Sequence, residues 1–417
     1  MHSTMELRTG SLLTSLLPLL VMCQERPTAE KAVLDLVYQH CPQADIITMD
    51  RTPQGYVEID YLCNGRMVEI GIMNGLEEFR EEEIDAADAP MEKINARIAK
   101  DHPGGFLDEV SLMIVKDTTF IKAEVIHGGI EYHLFFTAEG KTFKPAREIG
   151  NEKWSLEAIR AAGATGPAGY DMLSPHAIIE LPPILREISG IALLDERTII
   201  CVQDELGVVF HLELPGGHIK RIQRFTDIGD FEDIAIVDGN ITVLRSDGMI
   251  HTLQPDGSVK ERLLQLTTLN VEGLHSAPDG TLYVASKEPP ITGEQRSNVI
   301  YTVVDGRAEI AIPLDEAGMD AKFQATYGSM KAGRLAFAPS ALATHPITGD
   351  LYILSATDRA LAIYSANTLK AVFPLPAEIY YKPEGIAFHS NGDLLISTEG
   401  DKKGFSLPAI IKIKYEK

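Results

Sequence analysis

Hydrophobic and polar positions change their rhythm midway along the chain. In the first half, helical spacing alternates with strand spacing. "TAEKAVLDLVYQHCP" sets Ala32, Val33, Leu36 and Val37 on one helical face, and Pro42 stops the helix. "ADIITMD", "GYVEIDYLCNG" and "RMVEIGIMNG" then alternate as strands, with Tyr56, Glu58 and Asp60 on one side and Val57, Ile59 and Tyr61 on the other. The plan repeats. Pro90 opens "MEKINARIAKDHPGG", whose Ile94 and Ile98 lie four apart, and "VSLMIVKD", "TFIKAEVIHGG" and "IEYHLFFTAEG" follow. Residues 28–150 therefore predict an α+β tandem-repeat domain. The acidic run "LEEFREEEIDAADAP" between the copies reads as a solvated connector.

From residue 176 a hairpin recurs. "EISGIALLDERTIICVQDE", "DFEDIAIVDGNITVLRSDG", "NVEGLHSAPDGTLYVASKE", "APSALATHPITGDLYILSATD" and "KPEGIAFHSNGDLLISTEG" each hold a short strand, a turn rich in Asp, Asn or Gly, and a strand with a polar or acidic end. Two further strands follow most copies. Glu232 and Glu272 are 40 residues apart, Ser340 and Glu384 are 44 apart, and an insertion, "DEAGMDAKFQATYGSMKAGR", lies between Glu272 and Ser340. Four-stranded units at this period predict a β-propeller. The count is five blades, or six if the insertion contains another. The last copy lacks its outer strand, which "HAIIELPP" (176–183) is placed to supply. The Gly-rich stretch within 151–175 has the composition of a linker. The fold class is mainly β, a propeller at 176–417 behind the α+β domain.

The formal charge of −22 argues against a nucleic-acid partner, because phosphate binding needs a basic face. Residues 1–23 end in "SLLTSLLPLLVMC", an apolar run of signal-peptide length closed by Cys23. That ending resembles the lipobox of bacterial lipoproteins, although Met22 stands where the family prefers a small residue. The resemblance implies lipidation at Cys23, export to the periplasm or outer membrane, and membrane attachment through the lipid alone. Cys41, Cys63 and Cys201 show no metal-ligand spacing; Cys41 and Cys63 pair or remain free, and Cys201 reads as a buried apolar residue.

The layout of the first half, with fragments such as "GYVEIDYLCNGRMVEIGI", resembles the periplasmic PepSY-like domains, which implies a binding or inhibitory module. His102, His127 and His133 are too scattered to mark a site and read as surface or satisfied residues. "DFEDIAI", "NVEGLHS" and "KPEGIAF", with the endings "SKE" and "STEG", resemble the SdiA-regulated family of exported propellers. That family has no settled activity.

In a propeller the first strand of every blade lines the channel, so equivalent positions form a ring. Glu232, Glu272 and Glu384 are expected in one ring, with Glu187 or Ser189 and Ser340 completing it. Asp204, Asp247, Glu288, Asp358 and Glu399, at second-strand ends, are expected around the same mouth. Converging carboxylates repel unless they protonate, pair with basic side chains such as Arg186, Arg245 or Arg359, or hold a cation. Hard oxygen ligands favour Ca²⁺ or Mg²⁺. The expected role is a binding or scaffold lipoprotein engaging an envelope protein or small ligand. The alternative is a metal-dependent hydrolase of phosphoesters or lactones, with His275 or His389 as candidate base.

Overall fold

The computed structural model describes residues 28–416 apart from 52–55, 74, 129, 145–153, 269, 292, 294, 329–334, 336 and 402–405. Cys23 and the rest of the expected signal segment lie outside the described residues. No described helix is long and apolar enough to cross a membrane. The chain divides into two compact units, one running to Asp88 and including Ser111–Ile121, the other comprising Ala89–Val110 and Lys122–Lys417.

In the first unit the helix Thr28–His40 buries Val33 and Val37 against Val57, Ile59, Tyr61, Val68, Ile70 and Ile72 of the following strands. A disulfide joins Cys41, just beyond the helix, to Cys63 at the end of a strand, with Cα atoms 6.0 Å apart. Cys201 is free and buried. The strands before the propeller form one seven-stranded sheet in sequence order rather than two separate three-stranded copies. The difference arises in the acidic run. Leu76–Glu83 is a strand, not a connector, and pairs with Arg66–Met73 on one side and Phe106–Val115 on the other. Only Phe79 of this strand is buried. Arg80 neutralises Glu77 and Glu82, and Ser111 donates to Glu81. Backbone pairing on both edges and local ion pairs hold a strand that hydropathy cannot reveal.

The propeller has five four-stranded antiparallel blades among the described residues. Their inner strands are Ile188–Asp195, Phe231–Val237, Val271–Ser276, Ala341–Thr344 and Pro383–Phe388. Each packs on the inner strand of the next blade, and the fifth packs on the first, which closes the ring. Blade 5 takes its outer strand from Ala177–Glu180, paired antiparallel with Ala409–Ile413. Asp238 and Gly239, both at positive φ, form the tight turn of the inner hairpin of blade 2. Gly385 lies on the seam between blades 5 and 1. A Cβ there would stand 2.8 Å from the Ser189 carbonyl oxygen and 2.9 Å from the Ile191 nitrogen, so only glycine lets these two backbones approach.

Among the described residues the insertion after blade 3 contains a helix, not a sixth blade. Asp315 caps Glu316–Tyr327, and Met319, Phe323 and Tyr327 bury their side chains in a core shared with Trp154 and Ile159. That core corrects the expected linker. Trp154 is 1% exposed and donates its indole N–H to the Asp358 carbonyl. A short helix, Leu156–Ala162, follows. Tyr170 and Met172 enter the core between blades 4 and 5, the Tyr170 hydroxyl donates to the Gly392 carbonyl, and the Tyr380 hydroxyl donates to that of Met172. Small residues and glycines here permit close packing on the propeller rather than free motion. Composition alone does not separate those two uses.

Candidate functional site

Glu232, Glu272 and Glu384 occupy the second position of their inner strands, and each is the extra residue of a β-bulge. Pairing passes from Phe231↔Arg245 to Asp233↔Leu244, from Val271↔Ser286 to Gly273↔Ala285, and from Pro383↔Thr398 to Gly385↔Ser397. In every case the acid is left without a cross-strand partner. A bulge turns its extra residue out of the regular alternation, which here frees one carboxylate per blade at the strand's leading end.

The three acids affect one another. Burial pushes Glu232 up to about 9, reinforced by Glu272, Asp230 and Glu384 and opposed by Lys287. Burial pushes Glu384 up to about 8, with Lys382 opposing and Glu272 and Glu399 reinforcing. Glu272, 6% exposed, is also raised by burial, and its main opposition is Lys287. At the end of a neighbouring second strand, burial together with Glu187 and Glu399 lifts Asp204 to about 7.

Two lysines share this cluster, where arginines were expected. Lys287 pairs with Glu272. The Lys382 ammonium lies 3.2 Å from Glu384 and 2.6 Å from Glu399. Burial disfavours both ammonium charges, but the surrounding acids outweigh it and hold both lysines above the ordinary range. In the sequence these lysines were visible as "SKE" and "KPEG", one after a second strand and one before an inner strand. Nothing local marked them as counter-ions. Glu232 makes no hydrogen bond or ion pair among the described residues, and Asp204 Oδ1 is buried without a partner.

The remaining expected residues divide. Glu187 contributes its charge beside Asp204. Ser189 and Ser340 are buried. The Ser189 carbonyl accepts from Ser397 Oγ at 3.0 Å, and Ser340 Oγ donates to the Pro383 carbonyl at 3.3 Å, so both connect neighbouring blades. The Glu288 side chain is exposed, and its carbonyl accepts from Thr268 Oγ1. Asp247 is held below the ordinary range, first by its hydrogen bonds from Arg245 at 3.0 and 2.7 Å. Asp358 is 1% exposed and accepts from the Phe337 amide at 2.7 Å, as a brace for the insertion.

Neither candidate base belongs to the acid cluster. His275 Nε2 accepts the Thr344 amide of the next blade at 3.0 Å, and burial drives it down to about 4. His389 Nδ1 lies 3.0 Å from Glu196 of blade 1. At about 3.3 Å per strand residue, His275 is roughly 10 Å and His389 roughly 16 Å along the strand from the acid of its own blade. Both work as inter-blade contacts.

The cluster can hold positive charge, and Glu232 and Asp204, with Glu187 and Asp230 near them, are left over after the lysines are paired. A second set of potential ligands, Glu124, Glu131 and His133, brings its atoms within 4.8 Å of one another on the strands before the propeller.

No protein-family model matches the chain, and no curated protein matches it. Solved structures do. A DUF2874 family protein from Bacteroides uniformis is 20% identical, covering 28% of this chain and 87% of that one at a TM-score of 0.24. A streptogramin B lyase is 14% identical over 89% of this chain and 93% of its own, at a TM-score of 0.33. A glutaminyl cyclase from Myxococcus xanthus is 11% identical over 58% and 97%, at 0.40.

Proposed function

We propose that the protein is an exported cell-envelope lipoprotein with a binding role, whose propeller mouth takes a divalent cation, Ca²⁺ or Mg²⁺. The observation that carries this reading is Glu232. Its carboxylate is half-buried near Glu272, Asp230 and Glu384, and it makes no hydrogen bond or ion pair among the described residues, Lys287 acting on it only through its charge. An anion so placed either keeps its proton or gains a cation, and oxygen-only ligands suit a hard cation. Glu232 would hold the ion first, and Glu272 and Glu384 would have to turn from Lys287 and Lys382 to join it, because the ligand atoms of the three do not all lie within 4.8 Å of one another as they stand.

The helix-and-meander layout before the propeller supports a PepSY-like binding module, and the acid-Gly-apolar hairpins support a propeller of the SdiA-regulated type. Envelope anchoring rests on the lipobox-like Cys23. The partner is an envelope protein or a small ligand. The hydrolase reading is not favoured, because the two histidines it would use as bases serve contacts between blades.

Calorimetric titration of the metal-stripped chain with Ca²⁺ and Mg²⁺ tests the mouth. Saturable heat that disappears in Glu232→Gln supports the reading, whereas no heat from either ion refutes it. Cell fractionation tests the anchor. Wild type should remain with membranes and Cys23→Ala should be released or unprocessed, so full-length wild type in the cytosol would refute export.

A further inference from the structure

The hairpin Thr118–His127 and Ile130–Phe136 carries a set of side chains separate from the propeller mouth. Along a strand, residues two apart share a face, so Lys122 lies with Glu124 and Glu131 with His133. The His133 side chain is only 6% exposed. Its Nε2 lies 2.7 Å from Glu131 Oε1 and 3.7 Å from Glu124 Oε1, so one imidazole nitrogen stands between two carboxylates. The Lys122 ammonium is 2.8 Å from Glu124 Oε1, and Lys122 is itself 7% exposed. Glu131 is held below the ordinary carboxylate range, first by the His133 hydrogen bond, with Arg186 and Lys122 contributing at longer range.

We propose that Glu124, Glu131 and His133 form a binding site for a borderline divalent metal of the Zn²⁺ class. The donor set distinguishes it from the mouth. One imidazole nitrogen with two carboxylate oxygens suits Zn²⁺, whereas Ca²⁺ prefers an all-oxygen shell. The ligand atoms are already within 4.8 Å of one another, so small side-chain rotations replace the Glu131–His133 hydrogen bond with bonds to a shared ion. Lys122 holds Glu124 in the absence of metal and competes with the ion for that carboxylate. Binding therefore displaces the ammonium, and removing that ammonium strengthens the site.

The test is calorimetric titration of the metal-stripped full chain with ZnCl₂, repeated with CaCl₂. The chain has 12 histidines, so adventitious zinc binding must be separated by variants. Wild type is expected to bind one Zn²⁺ with affinity well above that for Ca²⁺ at this site. His133→Gln and Glu131→Gln should each lose about tenfold or more, since removing even a group that only orients a metal ligand costs about that much. Lys122→Met should bind Zn²⁺ several-fold more tightly. Melting curves in chelator confirm that each variant folds. The proposal is overturned if zinc gives no saturable heat, or if the folded Glu131→Gln and His133→Gln chains bind it as wild type does. It is also overturned if Lys122→Met weakens binding. None of these outcomes depends on Glu232, so failure here leaves the mouth reading intact.

Discussion

Replacing Glu232 by Gln should stabilise the metal-free propeller. Folding moves this carboxyl from an ordinary value of 4.5 to about 9. Between those limits the unfolded chain has released the proton and the folded chain retains it. Stability therefore falls as pH rises through the window, and is unaffected by this group below it. At pH 7 the cost is 2.303RT multiplied by the distance from 4.5, about 3 kcal/mol; at pH 5 it is below about 1 kcal/mol. Gln has the shape of the protonated acid and cannot ionise, so the variant escapes the cost. Urea unfolding in chelator at pH 5 and pH 7 measures it, with the wild-type deficit expected to grow by about 2 kcal/mol across that interval. Added Ca²⁺ should close most of the gap at pH 7. An ion at a hundredfold its Kd returns about 2.7 kcal/mol to wild type and nothing to the variant. A Gln variant less stable than wild type in chelator at pH 7, or a difference that does not change with pH, would refute this account.

Other substitutions probe the ring. Gly385→Ala should cost about 1–3 kcal/mol, read as a lower denaturation midpoint, because its Cβ meets the backbone of blade 1 at 2.8 Å. His275 has a folded value near 4 against an ordinary 6.5, so the unfolded chain gains the proton first and wild-type stability should fall as pH drops between them. His275→Gln should flatten that fall in a series of unfolding curves from pH 7 to pH 4. Trp154→Ala should cost about 3–5 kcal/mol and expose residues 155–175 to protease, whereas the wild-type segment should resist cleavage. Reducing the Cys41–Cys63 disulfide, which closes a separation of 22 residues, should cost the first unit about 3 kcal/mol by the loop-entropy relation, measured as a denaturant shift in dithiothreitol.

Much of the propeller was legible because its blades repeat. An apolar strand, a Gly- or Asp-bearing turn and a second apolar strand, at a spacing near 40 residues, leave few arrangements able to bury every copy. The missing outer strand of the last blade pointed to 176–183 for the same reason. The three glutamates were legible as equivalent positions. Sequence also placed both helices of the first half, since Val33 and Val37, like Ile94 and Ile98, keep helical spacing.

What the sequence withheld were relations between segments far apart along the chain. The strand Leu76–Glu83 exists because two neighbours satisfy its backbone, although its side chains are mostly charged. Residues 154–173 pack on the propeller because Trp154, Ile159, Tyr170 and Met172 find apolar partners two hundred residues away. The identities of the counter-ions were hidden too, since Lys287 and Lys382 meet the acids only when ring closure brings the blades together. Local order followed from periodicity and turn chemistry, which act within a few residues. The bulges, the closed ring and the imbalance of charge at the mouth were decided by tertiary structure, because burial and Coulomb interactions depend on distance in space rather than along the chain.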